Sequence, residues 1–223
     1  MISYCTACKN RLHHLKITLP KTLENISKDD EVIILDYDST DKLSEWIVPY
    51  KDRISYFKLN EGPQTWKMGR AKNIAHRLAS GKILCNIDAD NWVCKGFSEY
   101  LQKLKSGHVA RAPQNNNGGG RGRVAMYSFD FNRLGGYDER MQVWGYDVTD
   151  ITDRARSIEF EIDTIPDELI KYIDHGDGDR YLGEFKSKME SAMFNMRIGK
   201  DTLRRGICNP NGLHWGEAKI LSI

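Results

Sequence analysis

Short apolar runs alternate with amphipathic stretches along the first half of the chain, and this alternation predicts the fold class. Ile2 to Thr6 reads as a strand, and the segment after it carries Leu12, Leu15, Leu19 and Leu23 on one helical stripe. Pro20 falls inside that stripe and is expected to kink or shorten the helix. Glu31 to Asp36 and Ile54 to Leu59 read as the next two strands. Lys67 to Ala79 then sets Met68, Ala71, Ile74, Ala75 and Leu78 at helical spacing, and the run Lys82-Ile83-Leu84-Cys85-Asn86-Ile87 reads as a buried strand. Strand–helix alternation of this kind predicts an α/β fold with a mostly parallel central sheet flanked by helices.

After about residue 107 the pattern changes. Asn115 to Arg123 is a polar, glycine-rich break, read either as a surface linker or as a lid whose Arg121 and Arg123 reach a phosphate or acceptor. Val124 to Phe129 resumes as a strand, and Gly135-Gly136 closes a short helix-like turn. A helix is expected from about Asp147 with Ile151 and Ala155 inward, and another from Tyr181 to about Arg205 before an irregular tail. A length of 223 residues suits one domain, divided into halves at about 1–107 and 108–180 with a C-terminal helix and tail at 181–223.

Composition excludes more than it assigns. Charged residues are 29% and the net charge is +2, so nothing in the balance calls for a polyanion partner. No apolar run approaches the roughly 20 residues of a membrane helix, and the N-terminus is not a signal peptide, which reads as a cytoplasmic protein. Five scattered cysteines, with one Cys5-x-x-Cys8 pair, read as reduced structural thiols.

The candidate chemistry lies at strand ends. Asp88-Ala89-Asp90 closes the buried strand, and carboxylates two apart on a strand share a face, so both are expected to converge at the ligand-binding edge of the sheet. Hard oxygen donors there suit Mn²⁺ or Mg²⁺ carrying a phosphorylated ligand. Lys9-Asn10-Arg11 after the first strand is either a phosphate contact or a solvated helix start. Asp36 and Asp38 end the second strand as ribose or base acceptors, with capping by Ser39 or Asp41 as the bland reading. Arg70 and Lys72 lie on the helix leading to the carboxylate pair, near its phosphates or simply on the surface. Trp144-Gly145 precedes Asp147 and Asp150, which would share a helix face near its positive end, with Asp147 as a simple N-cap the alternative.

Together these segments resemble the metal-dependent GT-A glycosyltransferases, most closely the β-1,4-galactosyltransferase family, with a looser likeness to the family 2 enzymes. The family's Pro-Phe-Arg-Asn-Arg and following His-Leu-Lys have counterparts in Ala7-Cys8-Lys9-Asn10-Arg11 and His14-Leu15-Lys16. Its Arg-Ala-Lys matches Arg70-Ala71-Lys72, its Asp-Val-Asp matches Asp88-Ala89-Asp90, and its Ala-Met, Asn-Gly-Phe and Trp-Gly segments match Ala125-Met126, Gly135-Gly136-Tyr137 and Trp144 to Asp150. The likeness runs over about residues 2 to 180.

The resemblance implies a GT-A, Rossmann-like nucleotide-diphospho-sugar transferase fold and an inverting transfer from a UDP-sugar donor to a hydroxyl acceptor on a glycan or other glycoconjugate. A hydroxylated DNA base is the least favoured acceptor. Ala7, Lys9, Arg11, Asp36, Asp38, Arg70, Lys72, Asp88, Trp144 and Gly145 would surround the nucleotide-sugar. Asp90 would ligate Mn²⁺ directly, with Asp88 nearer the ribose and metal-bound water. His175, in the place of the family's histidine ligand, would be their companion, ahead of His214, while Tyr172 replaces the family's Met. The family's general-base position falls on Val148, which cannot take a proton, so Asp147 is the expected base and Asp150 the next candidate. Two other classes stay open: a non-catalytic nucleotide-sugar-binding protein, and a nucleotidyltransferase. The second would show glycine after the first strand, and Thr6 to Arg11 has none.

Overall fold

The computed structural model describes residues 1–113, 119–176 and 183–222. In chain order the strands are β1 (Ile2–Cys8), β2 (Glu31–Asp36), β3 (Ser55–Leu59), β4 (Ile83–Asn86), β5 (Asn91–Trp92), β6 (His108–Arg111), β7 (Val124–Tyr127), β8 (Glu161–Thr164), β9 (Lys171–Tyr172) and β10 (Ile220–Ser222). The helices are α1 (Leu12–Asn25), α2 (Leu43–Trp46), α3 (Met68–Arg77), α4 (Phe97–Leu101), α5 (Ser128–Arg133), α6 (Asp147–Ser157) and α7 (Lys188–Arg204). Eight strands form one sheet in the order β10-β3-β2-β1-β4-β7-β6-β8. Pairing is parallel from β3 through β2 and β1 to β4 and again between β6 and β8, while β7 and β10 run antiparallel to their neighbours. The sheet is therefore mostly parallel, as the alternating pattern predicts.

Both faces of that sheet are covered, which is why its central strands β1, β2 and β4 are buried at nearly every position. Val32 and Ile34 of β2 pack with Leu12, Leu15 and Leu19 of α1 on one face. Ile33 and Leu35 pack with Ala71, Ile74 and Ala75 of α3 on the other. Helix α1 continues through Pro20; burial of Leu15 and Leu19, each 2% exposed, offsets the lost backbone donor, at about 1.5–3 kcal/mol per side chain. A third apolar cluster joins β4 and β7 to α5, α6 and Trp215. Cys5 and Cys8 fall on opposite faces of β1, and all five cysteines are free thiols. Burial pushes the Cys85 thiol up to about 12.

Several elements differ from the sequence reading. The strand before Asp88 ends at Asn86, and the run from Val124 keeps only four strand residues before turning into α5 at Ser128. The C-terminal helix begins at Lys188, where Ser187 accepts a hydrogen bond from the Glu190 amide; Tyr181 and Leu182 lie outside the described residues, as do Asn115 to Gly118 of the glycine-rich break. Among the described residues no helix is long and apolar enough to cross a membrane.

Candidate active site

A cavity of about 550 Å³ opens at the carboxyl ends of β1 and β4, where open α/β sheets place their ligands. The segment carrying Asp88 and Asp90 is pinned from beneath. The Thr6 hydroxyl donates to the Ile87 carbonyl and the Thr18 hydroxyl to the Ala89 carbonyl, each at 2.8 Å. The chain leaves the sheet after Asn86, yet Asp88 and Asp90 both line this cavity, each with its own partner. Asp88 Oδ1 accepts from the Asn86 amide at 2.9 Å and lies 3.5 Å from Lys72 Nζ. Asp90 Oδ2 lies 2.8 Å from His175 Nε2.

His175 reaches Asp90 through a small two-stranded sheet. β5 follows Asp90 directly and pairs with β9, Asn91 opposite Tyr172, and the Ile173 amide donates to the Asp90 carbonyl at 2.8 Å. Arg123 clamps this arrangement from inside. It is 1% exposed, donates to the carbonyls of Leu169, Trp92 and Lys171, and lies over the Phe97 ring at 4.8 Å. The expectation that Arg123 reaches a phosphate is thereby corrected: its guanidinium is spent on backbone carbonyls. Arg121, in contrast, lines the cavity.

The opposite wall is the loop into α6. Val143, Gly145 and Tyr146 all have positive φ (49°, 90° and 69°), and for β-branched Val143 this is strained backbone. Helix α7 holds the strain. Asn195 Nδ2 donates to the Gln142, Trp144 and Gly145 carbonyls, and Asn195 Oδ1 accepts from the Gln142 amide. The small face of α7 permits the approach, since a Cβ on Gly145 would already sit 3.0 Å from that of Ala192.

Asp147, the first residue of α6, is not an N-cap; its carboxylate meets Lys72 Nζ at 2.7 Å. Lys72, 5% exposed, stands between Asp147 and Asp88 with the Tyr137 ring 5.3 Å away. Burial disfavours its charge, but the two carboxylates outweigh burial and raise its pKa above the ordinary lysine value. Burial likewise works to raise Asp88, and Lys72 with the Asn86 amide overrides it, holding the carboxyl below its usual range.

Not every expected residue reaches this cavity. Ala7, Lys9, Arg11, Trp144 and Gly145 line it with Lys72, Asp88, Asp90, Asp147 and His175. Asp36 is 1% exposed and turned inward, accepting from the Ser39 amide and the Tyr56 hydroxyl, each at 2.7 Å, so it orders the loop after β2. Asp38 accepts from the Gln64 amide and Lys9, which hold its carboxyl below the usual range. Asp41 caps α1 through the Leu12 amide. Arg70 is engaged by Glu61, at 2.8 Å and 3.0 Å, and by the Glu217 carbonyl. Asp150 is buried against Arg154 at 2.8 Å and does not line the cavity. His214 is exposed and pairs with Glu217. Sequence reasoning missed Trp66, whose indole N–H donates to the Val143 carbonyl at 3.1 Å; a lone Trp in the polar stretch after Pro63 was the available signal.

Among the described residues no group of three or more His, Cys, Asp or Glu side chains forms a metal cage. Asp90 and His175 nevertheless present one carboxylate and one imidazole to a single point on the cavity wall. That partial set suits Mn²⁺ or Mg²⁺ of the kind completed by substrate phosphates and water.

The fold is the GT-A fold of the glycosyltransferases. The chain belongs to glycosyl transferase family 2, whose model matches residues 3–164. No curated protein matches the sequence. Among solved structures the chain is similar to fragment 1–349 of TarS from S. aureus, with 14% identity and a TM-score of 0.64 over 78% of this chain and 60% of that one. The chain thus spans about three fifths of that fragment. GalNAc-T7, solved with UDP, GalNAc and Mn²⁺, shares 14% identity and a TM-score of 0.72 over 92% of this chain and 49% of its own. The Drosophila β-1,4-galactosyltransferase 7 mutant D211N, solved with manganese, UDP-Gal and xylobiose, gives 12% identity and a TM-score of 0.58 over 85% of this chain and 78% of its own. At these identities the structural likeness establishes the shared fold, and the family 2 likeness is the one the family model bears out.

Proposed function

We propose that the protein is a metal-dependent, inverting glycosyltransferase that moves a sugar from a UDP-sugar to a hydroxyl acceptor, within one catalytic domain. The observation that carries this reading is the pairing of walls: Asp88, Asp90 and His175 on the sheet side, Asp147 on the α6 side, and Lys72 between them. Lys9, Arg11 and Arg121 supply positive charge for a diphosphate along the same cavity. Asp90 and His175 would hold Mn²⁺ or Mg²⁺, with Asp88 beside them. When bound, such an ion would neutralise charge on the departing diphosphate. GalNAc-T7 and the Drosophila galactosyltransferase, both solved with manganese and a uridine nucleotide, support that assignment.

In this reading the acceptor oxygen attacks the anomeric carbon as the bond to the diphosphate breaks. Asp147 accepts the hydroxyl proton, and direct displacement inverts the centre. The nearest alternative is a protein that binds a nucleotide-sugar without transferring it, favoured by Val148 at the family's base position and by the 2.7 Å pairing of Asp147 with Lys72. UDP release from a panel of UDP-sugars with Mn²⁺ separates the two. Turnover that falls about 10²- to 10⁴-fold in Asp147→Asn supports the transferase. UDP binding without turnover for any donor and acceptor supports the binding protein, and full activity in Asp147→Asn removes Asp147 as the base.

A further inference from the structure

We infer that Lys72 couples the two walls of the cavity: a nucleoside diphosphate bound beside Asp88 draws the ammonium off Asp147 and so frees that carboxylate for the acceptor. The inference rests on the reading above and adds a positioning residue to it. Lys72 contacts both walls, Asp147 on one and Asp88 on the other. Its two contacts are unequal, 2.7 Å to Asp147 Oδ2 and 3.5 Å to Asp88 Oδ1, so a displacement of about an ångström exchanges one for the other.

Three features make that exchange possible. The backbone of Lys72 is fixed in α3, where His76 Nδ1 lies 2.7 Å from its carbonyl, so only the long side chain has to move. The Tyr137 ring beneath the ammonium offers a cation–π seat that ties it to neither carboxylate, and the Tyr137 hydroxyl, buried, has no hydrogen-bond partner among the described residues. Asp88 keeps its Asn86 hydrogen bond whatever Lys72 does, whereas Lys72 is the hydrogen-bonding side chain seen on Asp147 among the described residues. Asp147 Oδ2 already accepts from the Lys72 ammonium and is not open to an acceptor hydroxyl. With Lys72 in place Asp147 is blocked, and a doubly or triply charged diphosphate is the stronger competitor for the cation.

Competition for one cation makes a reciprocal prediction, since linkage requires that what the diphosphate does to Asp147, Asp147 does to the diphosphate. Asp147→Asn releases Lys72 in advance and should tighten UDP binding, measured by titration calorimetry with Mn²⁺, about 5- to 10-fold. In a Lys72→Met background the same Asp147→Asn change should alter UDP affinity less than 2-fold. If Lys72→Met does not fold, Lys72→Gln carries the comparison. Equal tightening in both backgrounds would mean that Asp147 merely repels the diphosphate, and would overturn the coupling. Unchanged affinity in Asp147→Asn would overturn it too. Those two results leave the transferase reading standing, while a wild-type protein that binds no UDP removes both.

Discussion

Arg154 is the strongest test of how the α6 wall is held. Its side chain is fully buried, its Nε donates to Asp150 Oδ2 at 2.8 Å, and its remaining nitrogens donate to the carbonyls of Leu134, Gly136 and Cys208. Three stretches of chain therefore meet on one guanidinium. Arg154→Met keeps the length of the side chain and removes the charge, leaving Asp150 buried at 2% exposure with its cation gone. Burial already raises the Asp150 carboxyl against the pull of Arg154, and the other carboxyl oxygen has no partner among the described residues. Breaking a buried pair from one side costs about 3–5 kcal/mol, a large share of the 5–15 kcal/mol typical of a folded domain. For a chain of this length that lowers Tm by roughly 10 °C. Thermal and urea unfolding followed by circular dichroism measure it directly. Adding Asp150→Leu to Arg154→Met should restore at least half of the loss, because no charge is then stranded. A loss below about 1 kcal/mol in Arg154→Met would refute the reasoning.

Other outcomes follow from the same geometry. Asp150→Asn should melt lower yet keep transfer activity within about threefold at 25 °C; lost transfer at unchanged Tm would return Asp150 to a catalytic role. His76, 3% exposed and stacked on Phe131, has its pKa lowered by burial from 6.5 to about 4. Its depressed value means the unfolded chain binds the proton first, so its contribution is complete above pH 6.5 and is lost as the pH falls towards 4. Urea unfolding should show about 3 kcal/mol of such loss, and His76→Phe should flatten that window; an unchanged slope would sink the assignment. Gly122→Ala would drive a methyl group into the Asp88 carboxylate. UDP affinity should fall several-fold with Tm nearly constant, and unaltered affinity would show that Asp88 does not contribute.

The parallel core is legible because its strands and helices carry strong periodicity: β2 has the expected bounds, α3 lies within two residues of its expected ends, and α6 starts at Asp147 as expected. What escaped was short and marginal. β6, β8 and β10 have three or four residues each, too few to show a period, and β8 is an edge strand with no fully buried position. Of the site, Asp88, Asp90, His175 and Asp147 were visible through motif order. The roles of Arg123 and Asp150 were not, because sequence gives a charged residue no sign of whether it faces solvent or a cluster of carbonyls. Both carboxylates line the cavity, although they lie beyond the strand itself. Asp88 is two and Asp90 four residues past the last strand residue, Asn86, so strand alternation does not set their directions.

The grip of Asn195 on the loop at 142–145 separates two things that most binding sites keep together. The wall that carries Asp147 takes its shape from a helix roughly fifty residues downstream that contributes nothing to the lining of the cavity. Substitutions at the back of that helix can therefore re-aim Trp144 and Tyr146 while the sheet edge with Asp88, Asp90 and Lys9 stays as it is. A chain built this way can change one half of its chemistry by steering from behind, with Lys72 as the link through which the other half would feel it.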